Sequence, residues 1–212
     1  VEPDFWLSRW RDERIGFHAE QVNPLLTAHV HTLSLTPPQR VFVPLCGKTL
    51  DIGWLLDAGH TVCGVELASV AVEALFESLG LAPATRACGA LTEYRSGNLC
   101  VYTGDIFSLE PETLGPVDAV YDRAALVALP TELRVAYARH LTAMTGSAPQ
   151  LVITFEYDQM LMAGPPFSVD QPTLHDLYAE TFQLNLLEQR EVEGGFRGGV
   201  PARESVWLLE TR

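Results

Sequence analysis

Lys48 is the only lysine in this chain, and basic residues are scarce altogether. Lys and Arg total 14 against 27 Asp and Glu, a formal net charge of −13 over 212 residues. A nucleic-acid binder needs a basic footprint that displaces counterions from phosphates, so that class is disfavoured. Cysteine is sparse as well: Cys46, Cys63, Cys88 and Cys100 form no C-x-x-C pair, which argues against a zinc ribbon or a redox dithiol. Three of the four sit in apolar, strand-like runs and read as buried free thiols, as expected in a reducing, cytoplasmic compartment. No apolar run approaches the ~18 residues of a membrane span, and no charged leader precedes an apolar stretch. The six histidines show no metal-ligand spacing, so no metal is expected. Neither a serine nucleophile elbow nor a Cys–His pairing is readable, which leaves covalent catalysis without a candidate.

What is present is an ordinary globular composition, 47% hydrophobic. A chain of this length buries about 70% of its unfolded surface in one domain, taken here as residues 1–212. Strand-like and helical patterns alternate. Arg40–Leu45 (RVFVPL) reads as a first strand, Leu50–Ala58 as a helix closed by Gly59, and Thr61–Glu66 as a second strand. Ser69–Leu79 carries apolar residues at Val72, Leu75, Phe76 and Leu79, the spacing of one helical face. Leu91–Arg95 and Leu99–Thr103 flank the turn Ser96-Gly97-Asn98 and predict a hairpin. Val117–Tyr121, the helix Thr131–Met144, the strand Gln150–Glu156 and a helix over Leu174–Phe182 follow. Leu184–Val192 and Ser205–Glu210 close the series as a strand pair. Such alternation predicts an α/β, doubly wound, mostly parallel sheet with ligands at the strands' carboxyl ends. Residues 1–35 stand outside it and read as an N-terminal helical cover.

Those strand ends carry the chemistry. Pro44-Leu45-Cys46-Gly47-Lys48-Thr49 ends in G-K-T, as a phosphate-binding loop does, but Phe42 stands where that motif needs its first glycine. A nucleotide hydrolase using Gly47-Lys48-Thr49 is therefore the alternative from a different class. The single glycine suits a tight turn against a ligand without phosphates. Glu66, at the end of the second strand, is placed to accept hydrogen bonds from both ribose hydroxyls of a nucleoside. A nucleoside site lacking phosphate-binding glycines points to S-adenosylmethionine. Asp105 and Ile106 offer a polar partner and an apolar wall to an adenine, although Asp105 would look the same as a helix N-cap. Arg123, after an apolar run, either pairs Asp122 or faces an anionic group of a ligand or acceptor. Trp6 and Trp10 share one helical face, either as core or as a lid whose indoles lie near a sulfonium.

The segments FWLSRW (Phe5–Trp10), IGFH (Ile15–His18), VFVPLCGKTLDIGWL (Val41–Leu55), GHTVCGVEL (Gly59–Leu67), YDRAALVALP (Tyr121–Pro130) and the stretch Glu156–Val169 together resemble the thiopurine S-methyltransferase family, particularly its bacterial forms. The resemblance implies a Rossmann-like class I methyltransferase fold with a seven-stranded sheet whose last strand is antiparallel. It also implies S-adenosylmethionine as donor and S-adenosylhomocysteine as product. Trp6 and Trp10 then belong to the cover, Leu45, Glu66, Ile106 and Arg123 are donor contacts, and Phe17 lies beside the acceptor. Either Arg197 or Arg203 would face the substrate. The implied acceptor is a thiopurine or similar small aromatic thiol, with other small thiols and selenium or tellurium species as alternatives, methylated by in-line displacement. Asp122 is the nearest acid to that corner and a candidate proton acceptor. A monomer is expected.

Overall fold

The computed structural model describes residues 3–16, 18–196 and 198–212. The alternation read from the sequence becomes one nine-stranded sheet, in the order β3-β4-β5-β2-β1-β6-β7-β9-β8. Its centre is five parallel strands: β5 (Leu99–Thr103), β2 (Thr61–Glu66), β1 (Arg40–Val43), β6 (Ala119–Arg123) and β7 (Gln150–Tyr157). β1 is followed by α3 (Leu50–Asp57) and then β2, and β2 by α4 (Ser69–Ser78), as βαβ connection demands of parallel neighbours. Strand order reverses between β1 and β6, so the crevice of a doubly wound sheet opens there.

Seven strands were expected and nine are found. The two beyond the seven that the resemblance implies are an antiparallel ribbon, β3 (Ala84–Cys88) and β4 (Leu91–Ser96), laid along the outer edge of β5, and of these only β3 was not read from the sequence. β4 and β5 form the predicted hairpin. β3 escapes a sequence reading because it is an edge strand, exposed along Ala84–Ala87, with no apolar alternation to mark it. At the other end β9 (Ala202–Thr211) runs antiparallel between β7 and β8 (Phe182–Glu191). The seventh helix, α7 (Gln171–Tyr178), stops before Phe182, which opens β8.

Period-two alternation divides the core between the two faces of the sheet. Val41 and Val43 point to the face covered by α2 (Pro24–His29), α3 and α4, where Leu26, Ile52, Leu55 and Phe76 are buried. Phe42 points to the other face, under α6 (Thr131–Met144) and α7, where Tyr137, Leu141, Leu174 and Tyr178 meet it. Full burial of each such aliphatic side chain stabilises by roughly 1.5–3 kcal/mol. α1 (Pro3–Arg11) belongs to neither layer. It lies on α4 through Trp10, which packs with Ala68 and Ala71 at 7% exposure. Among the described residues no helix is long and apolar enough to cross a membrane.

Candidate active site

The carboxyl ends of β1, β2, β5 and β6 open into a cavity of about 840 Å³, roofed by α1 and the segment after it. Two residues at its centre hold left-handed backbone without being glycine: Leu45, after β1, at φ 46°, and Ala124, after β6, at φ 64°. Such conformations cost on the order of 1–3 kcal/mol and persist where the surroundings enforce them. Both line the cavity.

The β1 turn is locked to β2 by the Cys46 amide, which donates to the Val65 carbonyl at 3.0 Å. Gly47 then turns at φ 52°, and a Cβ there would lie 3.0 Å from the Trp10 indole. Its amide donates to Glu66 Oε2 at 2.8 Å, while Glu66 Oε1 accepts from the Ala68 amide at 2.9 Å. The amide that a phosphate-binding loop would offer to an anion is thus occupied by a carboxylate. Thr49 caps α3 by accepting from the Asp51 amide. Burial pushes the Glu66 carboxyl above its ordinary value, against the opposing pull of the Ala68, Gly47 and Leu67 amides. A carboxylate has about four acceptor positions, so two remain for a ligand.

At the end of β5, the Asp105 side chain accepts from the Phe107 amide at 3.0 Å and caps the 3₁₀ turn Ile106–Ser108. The N-cap reading therefore holds, and the exposed carboxylate keeps spare acceptor capacity beside Ile106, which is 7% exposed. At the end of β6, Tyr121 and Arg123 face the cavity while Asp122, between them, points to the opposite face of the sheet. Asp122 is fully buried and accepts from the Tyr137 hydroxyl at 2.6 Å and the Leu126 amide at 3.0 Å. Burial raises its pKa, and those donors pull against the rise. It holds the turn that follows β6 and does not line the cavity. Arg123 consequently does not pair with it. The Arg123 Nε is buried and has no hydrogen-bond partner among the described residues.

Of the positions singled out in the sequence, Trp6, Trp10, Leu45 and Gly47 line this single cavity together with Glu66, Asp105, Ile106 and Arg123. Phe17 and Arg197 lie outside the described residues. Arg203 is turned away and pairs Glu156 at 2.7 Å. Two groups escaped the sequence reading. Asp51, 2% exposed, accepts from the Asn23 amide and the Tyr121 hydroxyl, tying the entry to α2 to the sheet. Tyr157 donates to the Pro166 carbonyl at 2.6 Å and meets the Phe196 ring edge-on at 5.5 Å, joining two loops of the cavity wall. Both are bonds between distant segments, and neither leaves a local motif.

The sequence pattern of the family described as Thiopurine S-methyltransferase (TPMT) matches residues 1–211. A thiopurine S-methyltransferase of Xanthobacter autotrophicus is 51% identical over 211 residues, covering 99% of each chain. One of Gluconobacter oxydans is 47% identical over 203 residues, covering 96% of this chain and 92% of the relative. Among solved structures, the 1,6-didemethyltoxoflavin-N1-methyltransferase of Burkholderia thailandensis, with bound S-adenosylhomocysteine, superposes with a TM-score of 0.66 at 17% identity, covering 98% of this chain and 87% of that one. The magnesium protoporphyrin IX methyltransferase of Synechocystis, also with S-adenosylhomocysteine, gives a TM-score of 0.62 at 17% identity, covering 99% and 98%. At such identities the structural likeness establishes the fold.

Proposed function

The chain belongs to the thiopurine S-methyltransferase family, is an S-adenosylmethionine-dependent methyltransferase of the class I fold, and on that premise we propose that its acceptor is the sulfur of a thiopurine or similar small aromatic thiol. The observation that carries the donor half is Glu66. Its carboxylate sits at the mouth of the β1 turn with two acceptor positions uncommitted, beside a glycine whose amide is already used. Those residues fit a ligand with a ribose and no phosphate. We assign Glu66 to the ribose hydroxyls, Asp105 and Ile106 to the adenine, and Leu45, Gly47, Trp6 and Trp10 to the walls around the rest of the donor.

When bound, S-adenosylmethionine would supply an electrophilic methyl group for in-line attack by a thiolate, with S-adenosylhomocysteine as the leaving group. The protein's part is to hold the two reactants in register and keep water out, and alignment alone is worth ~7–11 kcal/mol of the barrier. The apolar wall of Phe155, Met162, Pro165, Pro166 and Phe196 suits a flat aromatic acceptor. Arg123 enters from β6 with an unpaired buried Nε and places positive charge beside the acceptor, where it favours the ionised thiolate.

Calorimetry with S-adenosylhomocysteine beside ATP and magnesium tests the donor site, and turnover of mercaptopurine with mass analysis of the product tests the acceptor. Low-micromolar binding of S-adenosylhomocysteine, no ATP binding and a methyl group on sulfur are expected. Comparable ATP affinity, or methylation at nitrogen alone, overturns the reading.

A further inference from the structure

A thiol acceptor that arrives protonated must lose its proton, and the cavity's carboxylates are tied into the fold, assigned to the donor or exposed at its rim. Glu66 holds the Gly47 and Ala68 amides, Asp51 holds Asn23 and Tyr121, and Asp105 caps Phe107. Asp122 faces the other side of the sheet, and Glu132 is exposed on the first turn of α6. Cys46 and Tyr121 are pushed upward by burial and stay protonated. Among the described residues that line the cavity there is one imidazole. His18 follows α1 on the roof segment, lines the cavity, and among the described residues its ring makes no hydrogen bond.

We propose that His18 is the proton acceptor of the methyl transfer, taking the S–H proton of the acceptor as its sulfur attacks. The proposal rests on the thiol reading above. The acceptor's S–H bond gives its proton to the imidazole and a new carbon–sulfur bond forms. The methyl–sulfonium bond breaks with its electron pair left on the donor sulfur, which becomes a neutral thioether. The imidazolium later returns its proton to water.

The surroundings of the ring suit that role. Lys48, in the turn after β1, and Arg123, at the end of β6, act on it from the sheet side, with Glu20 on its own segment and Arg9 of α1 on the same cavity. Partial burial, then Lys48 and Arg123, hold its pKa below the ordinary 6.5, and Glu20 only partly offsets them. The imidazole is therefore neutral and competent to accept at neutral pH. The thiolate formed beside it lies near two cations. Because His18 is carried by the roof segment, the base is in place only when the cover is.

The test compares two acceptors of different acidity across pH. Benzyl mercaptan is protonated at neutral pH, whereas para-nitrothiophenol is already ionised. With the wild-type enzyme, kcat/KM for benzyl mercaptan should rise with pH and level off below 6.5, the ordinary imidazole value, whereas para-nitrothiophenol should show no such limb. His18→Gln should lose ~10²-fold with benzyl mercaptan and at least ~10-fold less than that with para-nitrothiophenol. S-adenosylhomocysteine affinity and thermal unfolding of the variant confirm that the fold and donor site are intact. A wild-type profile for benzyl mercaptan that climbs until the thiol's own ionisation overturns the proposal without any variant, as does an equal loss with both acceptors. A wild-type enzyme that methylates neither thiol, yet binds S-adenosylhomocysteine, overturns the thiol reading itself and this inference with it.

Discussion

Replacing Glu66 by Gln separates the two duties that the structure places on one carboxylate. Its oxygens accept from the Gly47 and Ala68 amides at 2.8 and 2.9 Å, tying the β1 turn to the start of α4. A carboxamide accepts through its oxygen alone and presents its NH₂ group to the second amide, leaving one buried N–H unsatisfied. That costs about 1–3 kcal/mol, lessened because a neutral side chain no longer pays for burying charge. In a chain of this length the melting point should fall by roughly 2–12 °C, toward the low end. The donor loses one charge-assisted bond, worth ~1.5–3 kcal/mol, so calorimetry should record S-adenosylhomocysteine binding roughly 10- to 150-fold weaker. The pH dependence has a definite sign. Burial raises the Glu66 pKa above its ordinary 4.5, so its contribution to stability is fully present below the unfolded value and is lost as pH rises through the folded one. Wild-type donor affinity moves the other way, falling as acid protonates Glu66, and the Gln variant should lack that dependence. A variant that melts lower but binds S-adenosylhomocysteine within ~3-fold of wild type would reduce Glu66 to a structural tie and refute its assignment to the ribose.

Arg123→Lys should keep part of the thiopurine turnover and Arg123→Ala little, with nearly unchanged melting points, since no protein partner is stranded at its Nε; near-normal kcat/KM in the Ala variant would remove Arg123 from the acceptor site. Gly47→Ala sets a Cβ 3.0 Å from Trp10 in left-handed backbone, so donor affinity should weaken as α1 is displaced, read by calorimetry and by Trp fluorescence; unchanged values of both would mean that the indole gives way freely. Tyr137→Phe removes the 2.6 Å donor to Asp122 and should cost ~1.5–3 kcal/mol in denaturant unfolding. Because Asp122 then titrates higher still, the deficit should be larger at neutral pH than near the ordinary aspartate value of 3.8; a pH-independent deficit would contradict this.

The parallel centre was legible because its signals are local. Thr61–Glu66 is a strand to the residue, and the glycine turn after β1 and the acid ending β2 were both read from local signals. β3 was illegible because a solvent-facing edge strand carries no hydrophobic period. Proximity in sequence also misleads at Asp122. Successive strand residues point to opposite faces, so once Arg123 faces the cavity its neighbour is committed to the Tyr137 side. The ties Asp51–Tyr121 and Tyr157–Pro166 join segments through the completed fold, and the phosphate-loop alternative, short of its first glycine at Phe42, also meets a Gly47 amide bonded to Glu66.

The placement of β9 between β7 and β8 has a bearing on how the chain is made. A ribosome delivers β8 first, yet β8 does not pair with β7 and has no strand partner until β9 is synthesised. During that interval the run Leu184–Leu187, which includes Leu186 at 47% exposure even in the finished protein, is an unpaired apolar strand of the kind that aggregates or recruits a chaperone. The connection from Glu191 to Ala202 is short, so β9 can fold back on β8 at small loop-closure cost before the pair docks on β7. Phe196 rides on that connection, so its contribution to the cavity wall awaits the pairing of β8 with β9.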